Sequence, residues 1–335
     1  MMELIIPTRS LPSVPATITE QAVAEAIDRY AHQAKGAFRP NTERAIASDL
    51  GIFTAWAIEH GVSPCPASPE IVAEFLVEAA RSRKPTTIRR YAASIAHQHR
   101  AARVANPCAE EVVRLALRKI ANDAAARAVE ESRPVREQAE GLTETDLAAI
   151  VATCTGSLRD LRDKALALVG KAILARRAEL VALKVSDLVE NADGTATVTI
   201  RRSKTDQAGE GAEQHVPAVA LDALRAWLDA AGITAGWMFR SMRRGDHVTD
   251  RPLPADEVSV VLKRLAARAR LRPERVARVS GHSLRVGMAQ DLVAAGAGLP
   301  EVMQAGRWSS SSMPAHYARR AAAGRGAVAK FYSRA

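Results

Sequence analysis

The sequence is poor in the features that mark secreted and membrane proteins. It contains three cysteines, Cys65, Cys108 and Cys154, an odd number placed far apart and without a second type of metal ligand nearby. This spacing argues against a disulfide framework and against a zinc site. No apolar run approaches the length of a bilayer span, and no early segment has the make-up of a secretion signal. We therefore expect a cytoplasmic protein with reduced, partly buried thiols and no membrane partner.

The sequence also lacks the common motifs that handle phosphate with a cofactor. It has no phosphate-binding glycine loop, no HExxH pair, no carboxylate cluster for two metal ions and no internal repeat. Phosphoryl chemistry would then depend on fixed protein cations and a covalent nucleophile. We predict that the protein uses neither a metal nor another cofactor.

Positive charge, by contrast, is abundant. Lys and Arg number 47 against 37 Asp and Glu, which gives a net charge of +10. A positive field favours a polyanionic partner and salt-sensitive association, so nucleic acid is the first candidate. A composition of 47% apolar and 25% charged residues suits globular domains, and the length of 335 residues predicts about two of them.

The first part of the chain is predicted to be helical. Residues 1–16 contain three prolines and few large apolar residues, which predicts a flexible tail. Apolar residues at three-and-four spacing then predict five helices within a domain at 17–127. The predicted helices are 19–34, 41–60, 68–83, 85–103 and 108–127. Segment 128–141 is polar, contains Pro134 and lacks an apolar stripe, so it predicts a linker to a second domain at 142–323.

One helix of the first domain begins with the basic segment Lys84-Pro-Thr-Thr-Ile-Arg-Arg90. The start of a helix offers unpaired backbone N–H groups, and here they lie beside threonines and long cations. That combination suits a DNA phosphate strand or the major groove, although a solvated basic face explains it too. The candidate DNA-binding residues of this domain are Arg44, Lys84, Thr87, Arg89 and Arg90.

An apolar stripe near the start of the second domain contains one charged residue, Arg176. A helix is predicted over 157–176. The stripe consists of Leu166, Val169, Ile173, Arg176 and Leu180. A charge on the core side needs a partner, and Glu179 is the candidate. Arg176 is then either half of a buried structural ion pair or an arginine held rigid to meet a ligand anion.

A hairpin and a basic helix follow in the second domain. Alternating β-branched residues predict strands at 195–201 and 214–219, joined by a loop that contains Lys204; taken alone, Lys204 is an ordinary hairpin lysine. Helices are predicted at 220–231 and 255–270. The second of these has one apolar and one basic side, as expected of a major-groove helix. Its candidate DNA-binding residues are Lys263, Arg264 and Arg268.

The region 281–317 contains the most specific motif. His282 and Arg285 lie three positions apart and would share a helix face, where an imidazole and a guanidinium suit a phosphate. Gly306-Arg-Trp308 comes next in the chain. Serines and Pro314 then predict a helix start that places Tyr317 one or two turns in. The spacing predicts a phosphate-binding spot, with a phenol available in the following helix.

Together these residues resemble the active-site set of the tyrosine site-specific recombinases. The matching residues are Arg176, Glu179, Lys204, His282, Arg285, Trp308 and Tyr317. Trp308 stands where most of that family has His, and the likeness spans nearly the whole chain. It implies a mainly α fold, with a helical core-binding domain and a mostly helical catalytic domain that includes a small antiparallel β-hairpin or sheet. The two domains would form a C-shaped clamp on DNA.

The resemblance also implies a reaction. Tyr317 would attack a scissile DNA phosphate and leave a 3′-phosphotyrosyl link and a free 5′-hydroxyl; the bond energy stays in the covalent link, so no ATP is needed. Arg176 and Arg285 would bind the non-bridging oxygens more strongly in the transition state than in the ground state. Lys204 would protonate the leaving 5′-oxygen.

Three further residues would support that reaction. His282 would bind the phosphate or accept the proton of the tyrosine. Trp308 would donate its indole N–H to a phosphate oxygen, with a packing role as the alternative. Glu179 would orient its neighbours and take no part in the chemistry itself. The resemblance thus assigns a role to every residue of the matching set.

The family works as an assembly on DNA. Double-stranded DNA with inverted-repeat half-sites would bind a homotetramer, two synapsed dimers that exchange strands through a Holliday junction. Residues 324–335 would form a helix that docks on a neighbouring subunit through Val328 and Phe331, with packing in cis as the alternative. The resemblance implies a protein encoded by a bacterium or a phage and associated with the nucleoid.

Two other functions fit the same residues. The chain could be a sequence-specific DNA-binding protein whose catalytic set is vestigial, and a cleavage assay on a cognate site separates that function from a recombinase. It could also be a type IB topoisomerase-like enzyme, which shares the chemistry but acts as a monomer. Relaxation of supercoiled DNA that lacks a special site would favour this last alternative.

Overall fold

The computed structural model describes residues 19–131, 138–201 and 211–323. The chain divides into two compact units, Met1–Arg136 and Glu137–Ala335. Each unit consists mainly of helices in its described part, and the strands are short and antiparallel. The prediction of a mainly helical chain with a small antiparallel sheet is therefore confirmed.

Five α-helices make up the described part of the first unit. They are α1 (Glu20–Gln33), α2 (Pro40–Glu59), α3 (Pro69–Ala79), α4 (Pro85–Ala101) and α5 (Glu111–Glu130). Two helix starts are capped by side chains, since Thr19 accepts the N–H of Ala22 at 3.2 Å and Ser68 accepts that of Ile71 at 3.3 Å. Proline begins α2, α3 and α4, a position that needs no N–H.

The start of α5 differs from the prediction, which begins this helix at Cys108. A 3₁₀ turn occupies Pro107–Ala109, and Glu110 is extended before α5 begins at Glu111. Asn106 accepts the N–H of Cys108 at 3.1 Å. Because Asn and Pro favour such local turns, turn chemistry interrupts the apolar periodicity here.

Aromatic rings fill the core of the first unit. The ring centroids of Phe53 in α2 and Phe75 in α3 lie 4.9 Å apart, and Phe75 lies 5.8 Å from Tyr91 of α4. All three residues are buried. Large buried rings dominate the packing of a small helical unit, and here they fix α4, the helix with the basic start.

The second unit has nine α-helices and five strands in its described residues. The helices are α6 (Glu144–Ala152), α7 (Leu158–Ala172), α8 (Arg177–Val181), α9 (Ala218–Ala230), α10 (Glu257–Arg268), α11 (Pro273–Arg278), α12 (Ser283–Ala294), α13 (Leu299–Gly306) and α14 (Ser312–Ala323). The strands are β1 (Leu188–Glu190), β2 (Ala196–Ile200), β3 (Ala212–Val216), β4 (Arg240–Met242) and β5 (Val248–Pro252).

β2 is the middle strand of the three-stranded sheet. It pairs antiparallel with β1 and β3, so that Val198 lies opposite Leu188 and Gln214. Its alternate residues are buried, which is the pattern that predicts this strand. The second predicted strand, 214–219, lies earlier at Ala212–Val216 because Pro217 already precedes α9. β1 and β4 have three residues each, and β5 has no buried residue that alternates with exposed ones, so no sequence pattern predicts these strands.

The predicted helix over 157–176 is wrong at its end. α7 stops at Ala172, and Leu174 is left-handed with φ 46°, so the chain turns and Arg176 becomes the residue before α8. Ala175 donates its N–H to Gly170 at 3.0 Å in this turn. The apolar positions of the stripe are nevertheless buried, because α8 packs next to α7 and continues the same core. The apolar spacing is the same before and after the turn, so it gives no sign that the helix ends at Ala172.

A buried lysine holds α12 against α7. Nζ of Lys171 lies 2.5 Å from Asp291 Oδ2, 3.3 Å from Glu144 Oε2 and 3.3 Å from the carbonyl of Leu142. Gly287 of α12 lies so close to Leu142 that a Cβ would come within 1.9 Å of that carbonyl oxygen. Ion pairing and close backbone approach therefore fix the helix that carries Arg285.

Candidate active site

Arg285 is the buried centre of the candidate site. Its side chain extends from α12, and Nη1 donates to the carbonyl of Leu174 at 2.5 Å while Nη2 donates to that of Gly306. These acceptors lie just beyond α7 and at the last residue of α13, where helix carbonyls lack partners within the helix. Charge-assisted bonds to two helix ends hold the guanidinium in one position.

Trp308 lies beside both Arg285 and Tyr317. The Cζ of Arg285 is 4.1 Å from the Trp308 ring centroid, a cation–π contact, and the Tyr317 ring centroid is 6.0 Å from the same ring. A Cβ on Gly306 would come within 1.8 Å of the indole, so the ring can lie here only over a glycine. Gly306 thus serves the site twice, by accepting from Arg285 and by leaving room for Trp308.

Tyr317 belongs to the second turn of α14. Nε2 of Gln290 donates to its backbone carbonyl at 3.3 Å, which ties α14 to α12. Burial raises the pKa of the phenol, while the charges of Arg285 and Arg176 act on that pKa in the opposite direction. The phenol therefore lies in the field of both guanidiniums, although the three residues come from different parts of the sequence.

Glu179 is shared by two arginines. Its Oε1 accepts Nη1 of Arg176 at 2.6 Å, and its Oε2 accepts Nη2 of Arg307 at 2.8 Å and the backbone N–H of Arg176 at 3.0 Å. The Glu179 side chain is 4% exposed. Burial alone would raise the pKa of this carboxyl, but the hydrogen bonds from Arg176 and the charge of Arg307 outweigh it, so the pKa lies below its ordinary value. Glu179 stays ionised and orients both guanidiniums.

Arg307 is a further member of this group, and no sequence motif predicts a role for it. This residue follows α13 in the left-handed conformation, with φ 55° and ψ 48°, and its Nη1 donates to the carbonyl of Ile173 at 3.0 Å. Its side chain is only 10% exposed. The one available signal is its place between Gly306 and Trp308, inside a motif that was already singled out.

Positive charge exceeds negative charge among these groups. Burial, and then the charges of Arg176 and Arg307, lower the pKa of Arg285 to about 9, which still leaves the guanidinium protonated at neutral pH. Among the described residues, three guanidiniums therefore face one carboxylate, Glu179, in a partly desolvated place. Like charges so arranged repel one another unless an anion joins them. The site is suited chemically to a phosphate.

His282 precedes α12 as its capping residue, so it stands one turn before Arg285. The residue as a whole is exposed. The pKa of its imidazole nevertheless lies below the ordinary value, first because the ring is partly desolvated and then because Arg285 and Arg176 place positive charge near it. His282 is consequently neutral at neutral pH and can accept a proton.

Two predicted groups fall outside the described residues. Lys204 belongs to segment 202–210, and Val328 and Phe331 belong to 324–335. The tail at 1–16 and positions 132–137 of the linker also lie outside the described residues. β2 and β3, which flank Lys204 in sequence, pair with Ile200 opposite Ala212. The roles of Lys204, Val328 and Phe331 remain predictions.

The basic start of α4 holds both exposed cations and a structural pair. Lys84 and Arg89 are exposed and Thr87 is half-buried. Arg90 instead donates through Nε (2.9 Å) and Nη2 (2.8 Å) to Asp49, a buried carboxylate. Arg44 is exposed on α2 and donates to the side chain of Asn41.

The basic side of α10 is partly engaged within the protein. Arg268 Nη1 donates to Asp160 Oδ1 at 2.7 Å, and Arg264 donates to Asp163; both carboxylates are buried on α7. Lys263 is exposed. The predicted apolar side of α10 is buried as expected, so the helix has the predicted two sides, but two of the three named cations also stabilise the fold.

Comparisons with known proteins agree on one family. The sequence profile of the phage integrase family matches residues 140–323. An integrase/recombinase XerD homologue of Selenomonas ruminantium is 32% identical over 258 residues, which cover 74% of this chain and 72% of that protein. The Cre recombinase of Escherichia phage P1 is 25% identical over 336 residues, which cover 95% of each.

Solved structures show the same fold. A structure of the Tn1549 transposon integrase in complex with a circular intermediate DNA has a TM-score of 0.60 at 13% identity, covering 90% of this chain and 99% of that one. The family profile covers more than half of the present chain, and one relative is 32% identical over 74% of it. This chain therefore belongs to the phage integrase family and is a tyrosine site-specific recombinase.

Proposed function

We propose that this recombinase cleaves and rejoins double-stranded DNA at a specific site through a 3′-phosphotyrosyl intermediate. The observation that carries the proposal is the surplus of buried guanidinium charge around Arg285, next to the phenol of Tyr317. The net charge of +10 supports a polyanionic partner for the whole chain. A DNA phosphate supplies the missing negative charge and the reacting phosphorus atom together.

Tyr317 is the proposed nucleophile. Its phenolic oxygen attacks the phosphorus, the bond to the 5′-oxygen breaks, and the 3′-phosphate stays on the tyrosine. The phenol must lose its proton in this step. Burial opposes that loss, whereas the charges of Arg285 and Arg176 favour it. Rejoining reverses the step when a 5′-hydroxyl attacks, so the reaction needs neither ATP nor a metal ion.

Arg176 and Arg285 are the proposed ligands of the non-bridging oxygens. Negative charge on these oxygens grows as the phosphorus becomes five-coordinate. Donors whose positions are already fixed stabilise this additional charge most effectively. The bonds of Arg285 to Leu174 and Gly306 fix its guanidinium before DNA arrives. Glu179 performs the same task for Arg176. The rate enhancement thus comes from cations whose positions were set during folding.

His282, Lys204 and Trp308 complete the proposed site. A neutral His282 can accept the phenol proton or bind a phosphate oxygen, and its lowered pKa favours the neutral form. Lys204 would protonate the leaving 5′-oxygen. The indole of Trp308 would donate to the phosphate, in addition to its contact with Arg285. Each role assigns one proton or one hydrogen bond to one side chain.

The proposed substrate is a pair of DNA duplexes with inverted-repeat half-sites. Since recombination needs two cuts on each duplex, four subunits would act together and pass through a Holliday junction. The exposed cations Arg44, Lys84, Arg89 and Lys263 would contact the DNA. Residues 324–335 would join neighbouring subunits.

The test uses a DNA site selected from randomised half-sites. Wild-type protein should form a covalent DNA adduct that survives denaturation, and Tyr317→Phe should bind the same site with similar affinity and form none. An adduct that persists in Tyr317→Phe would contradict the assignment and point to another phenol, with Tyr332 tested next. Relaxation of supercoiled plasmids without the selected site would instead support a topoisomerase-like activity.

A further inference from the structure

Arg307 occupies a backbone position that normally favours glycine. Its N–H bonds to the carbonyl of Gln304 at 3.0 Å, and the N–H of Trp308 bonds to that of Met303 at 3.0 Å, which together close α13 in a Schellman motif. The left-handed residue of this motif is usually glycine, because a side chain there adds strain. The chain carries an arginine at this strained position, and glycine would be the less strained choice. Arg103 and Arg270 take the same conformation after α4 and α10 but are exposed, so the contacts of the buried Arg307 side chain, and not its backbone conformation, distinguish it.

That side chain reaches the ion pair of the active site. Nη2 of Arg307 binds Oε2 of Glu179 at 2.8 Å, and Nη1 binds the carbonyl of Ile173 at 3.0 Å. Arg176 holds the other oxygen of Glu179 through Nη1 at 2.6 Å. The carboxylate is thus divided between two guanidiniums, one on each oxygen.

Removal of Arg307 would change this division. A guanidinium binds a carboxylate best through two parallel N–H···O bonds. Without Arg307, the bond left to Oε2 of Glu179 among the described residues would be the one from the backbone N–H of Arg176, at 3.0 Å. A carboxylate oxygen can accept a second bond, so Glu179 could take the Arg176 guanidinium with both oxygens and draw it away from its present direction. The presence of Arg307 limits that grip to one oxygen.

The burial of Arg307 argues against a role as a simple surface cation. Its side chain is 10% exposed, and its Nε has no hydrogen-bond partner among the described residues. Its charge also acts on Arg285, whose pKa it helps to lower. An arginine that served only to neutralise Glu179 would be redundant, since Arg176 already supplies one positive charge.

We propose that Arg307 is a positioning residue of the active site: by occupying Oε2 of Glu179 it keeps the Arg176 guanidinium oriented toward the scissile phosphate. The inference rests on the proposed function, in which Arg176 binds that phosphate. Arg307 itself acts through Glu179 and Arg176. The distinguishing consequence is an energetic coupling between Arg307 and Glu179 in the cleavage step.

The test is a double-mutant cycle on the full chain with the selected DNA site. Arg307→Gly removes the side chain and suits the left-handed backbone, so the turn after α13 is retained. Glu179→Gln leaves one acceptor oxygen, so Arg176 cannot be held at two points whether or not Arg307 is present. The rate of covalent adduct formation is measured in a single turnover at saturating DNA, and the melting temperature is measured for each variant.

Arg307→Gly should slow adduct formation about 10- to 100-fold in the wild-type background, while the same change in Glu179→Gln should alter the rate less than about threefold. Arg307→Lys, which can still occupy Oε2, should recover part of the rate. DNA affinity should change little in all variants. A structural role alone would instead produce losses that follow the melting temperature equally in both backgrounds.

Two results would overturn the inference. One is an unchanged rate for Arg307→Gly, and the other is an equal loss in the presence and absence of the Glu179 carboxylate. Failure of the proposed function is distinguishable from both, because the wild-type chain would then form no adduct at all. That outcome would remove the inference together with the function.

Discussion

Two arginine clusters in the second unit differ in how their charges are balanced. The α7–α10 cluster consists of Arg162, Arg264, Arg268, Asp160 and Asp163. The candidate-site cluster consists of Arg176, Arg285, Arg307 and Glu179. Among the residues that the structure describes, three guanidiniums meet two carboxylates in the first cluster and one in the second.

Solvent exposure enlarges this difference for two of the three arginines of the α7–α10 cluster; the third, Arg162, is 2% exposed and pairs with Asp163. The side chains of Arg264 and Arg268 are 41% and 36% exposed, so water screens part of their charge. Those of Arg176 and Arg307 are 17% and 10% exposed. A dense run of arginines in a sequence therefore does not indicate an anion site by itself. The indicator is buried positive charge that the protein leaves unbalanced.

Arg285→Ala should show the largest effect, because it removes the most buried of the unbalanced charges. We expect adduct formation to slow by about 10²–10³-fold, or roughly 2.7–4 kcal/mol, by analogy with the loss of one donor to a developing oxyanion. DNA affinity should remain largely intact. Single-turnover cleavage and gel-shift assays measure the two quantities separately.

Arg264→Ala is the matched control for that prediction. It removes a guanidinium from the cluster whose charge is nearly balanced, so the cleavage rate of the folded protein should remain within about threefold of wild type. Equal rate losses for Arg285→Ala and Arg264→Ala would contradict the distinction between the clusters.

The pH dependence of cleavage should reflect the pKa of His282, which the nearby guanidiniums lower. Desolvation and the neighbouring guanidiniums lower the pKa of its imidazole from 6.5. If the neutral ring accepts the phenol proton, the rate should be constant between pH 6.5 and the onset of Arg285 deprotonation, whose pKa is about 9, and fall about tenfold per pH unit below the lowered pKa of His282. His282→Gln should lose this acid limb. An acid limb that persists in the variant would assign it to another group.

Arg268→Ala should reduce stability and leave chemistry unchanged. It removes one partner of the buried Asp160, and because Arg268 is partly exposed we expect a loss of about 1 kcal/mol in the free energy of unfolding. The pKa of Asp160 lies below 3.8, so its ionised form stabilises the folded state above that pH and the contribution is lost as the pH falls through the folded-state pKa.

Denaturant titrations of Arg268→Ala and wild type at several pH values check this sign. The difference between the two proteins should be largest near neutral pH and should shrink below about pH 3.8. A difference that grows toward acid pH would show that the pair with Asp160 is not what the substitution removes.

The smallest effect is expected for Lys263→Ala. Lys263 is an exposed cation of α10, so its loss should weaken DNA binding a few-fold and reduce the slope of log affinity against log salt by about 1. Arg264→Ala should change the slope less, because Asp163 already holds that guanidinium. Affinity measured over a range of salt concentrations gives both slopes. Identical salt slopes for the two variants would contradict the claim that the pair with Asp163 keeps Arg264 from contributing to DNA binding.

The sequence predicted well what depends on repeated local pattern. Apolar spacing identified the five helices of the first unit, and alternation identified β2, because burial imposes both patterns. The sequence patterns did not predict the places where the backbone conformation of one residue changes the direction of the chain. Leu174 at φ 46° ends α7 and turns the chain toward Arg176, and no periodicity indicates such a turn.

For the candidate site, the sequence likewise predicted the residues but not the contacts that hold them in place. Its members follow from motifs read in order, but the partners that fix them do not. The carbonyls of Leu174 and Gly306, which hold Arg285, are backbone atoms without a residue signature. Arg307 was visible in the sequence, yet its pairing with Glu179 depends on a contact across 128 positions. Likewise, the basic run of α10 concealed the carboxylates of α7 that pair with it.

The most direct measurement of the charge surplus changes the substrate and the protein together. Cleavage by wild type and by Arg285→Ala is compared on two DNA sites, one with a normal scissile phosphate and one with a neutral methylphosphonate at that position. If the guanidinium balances phosphate charge, the loss of about 10²–10³-fold on the normal site should shrink to less than about tenfold on the neutral one. An equal loss on both substrates would contradict the claim that Arg285 acts by balancing the charge of the phosphate.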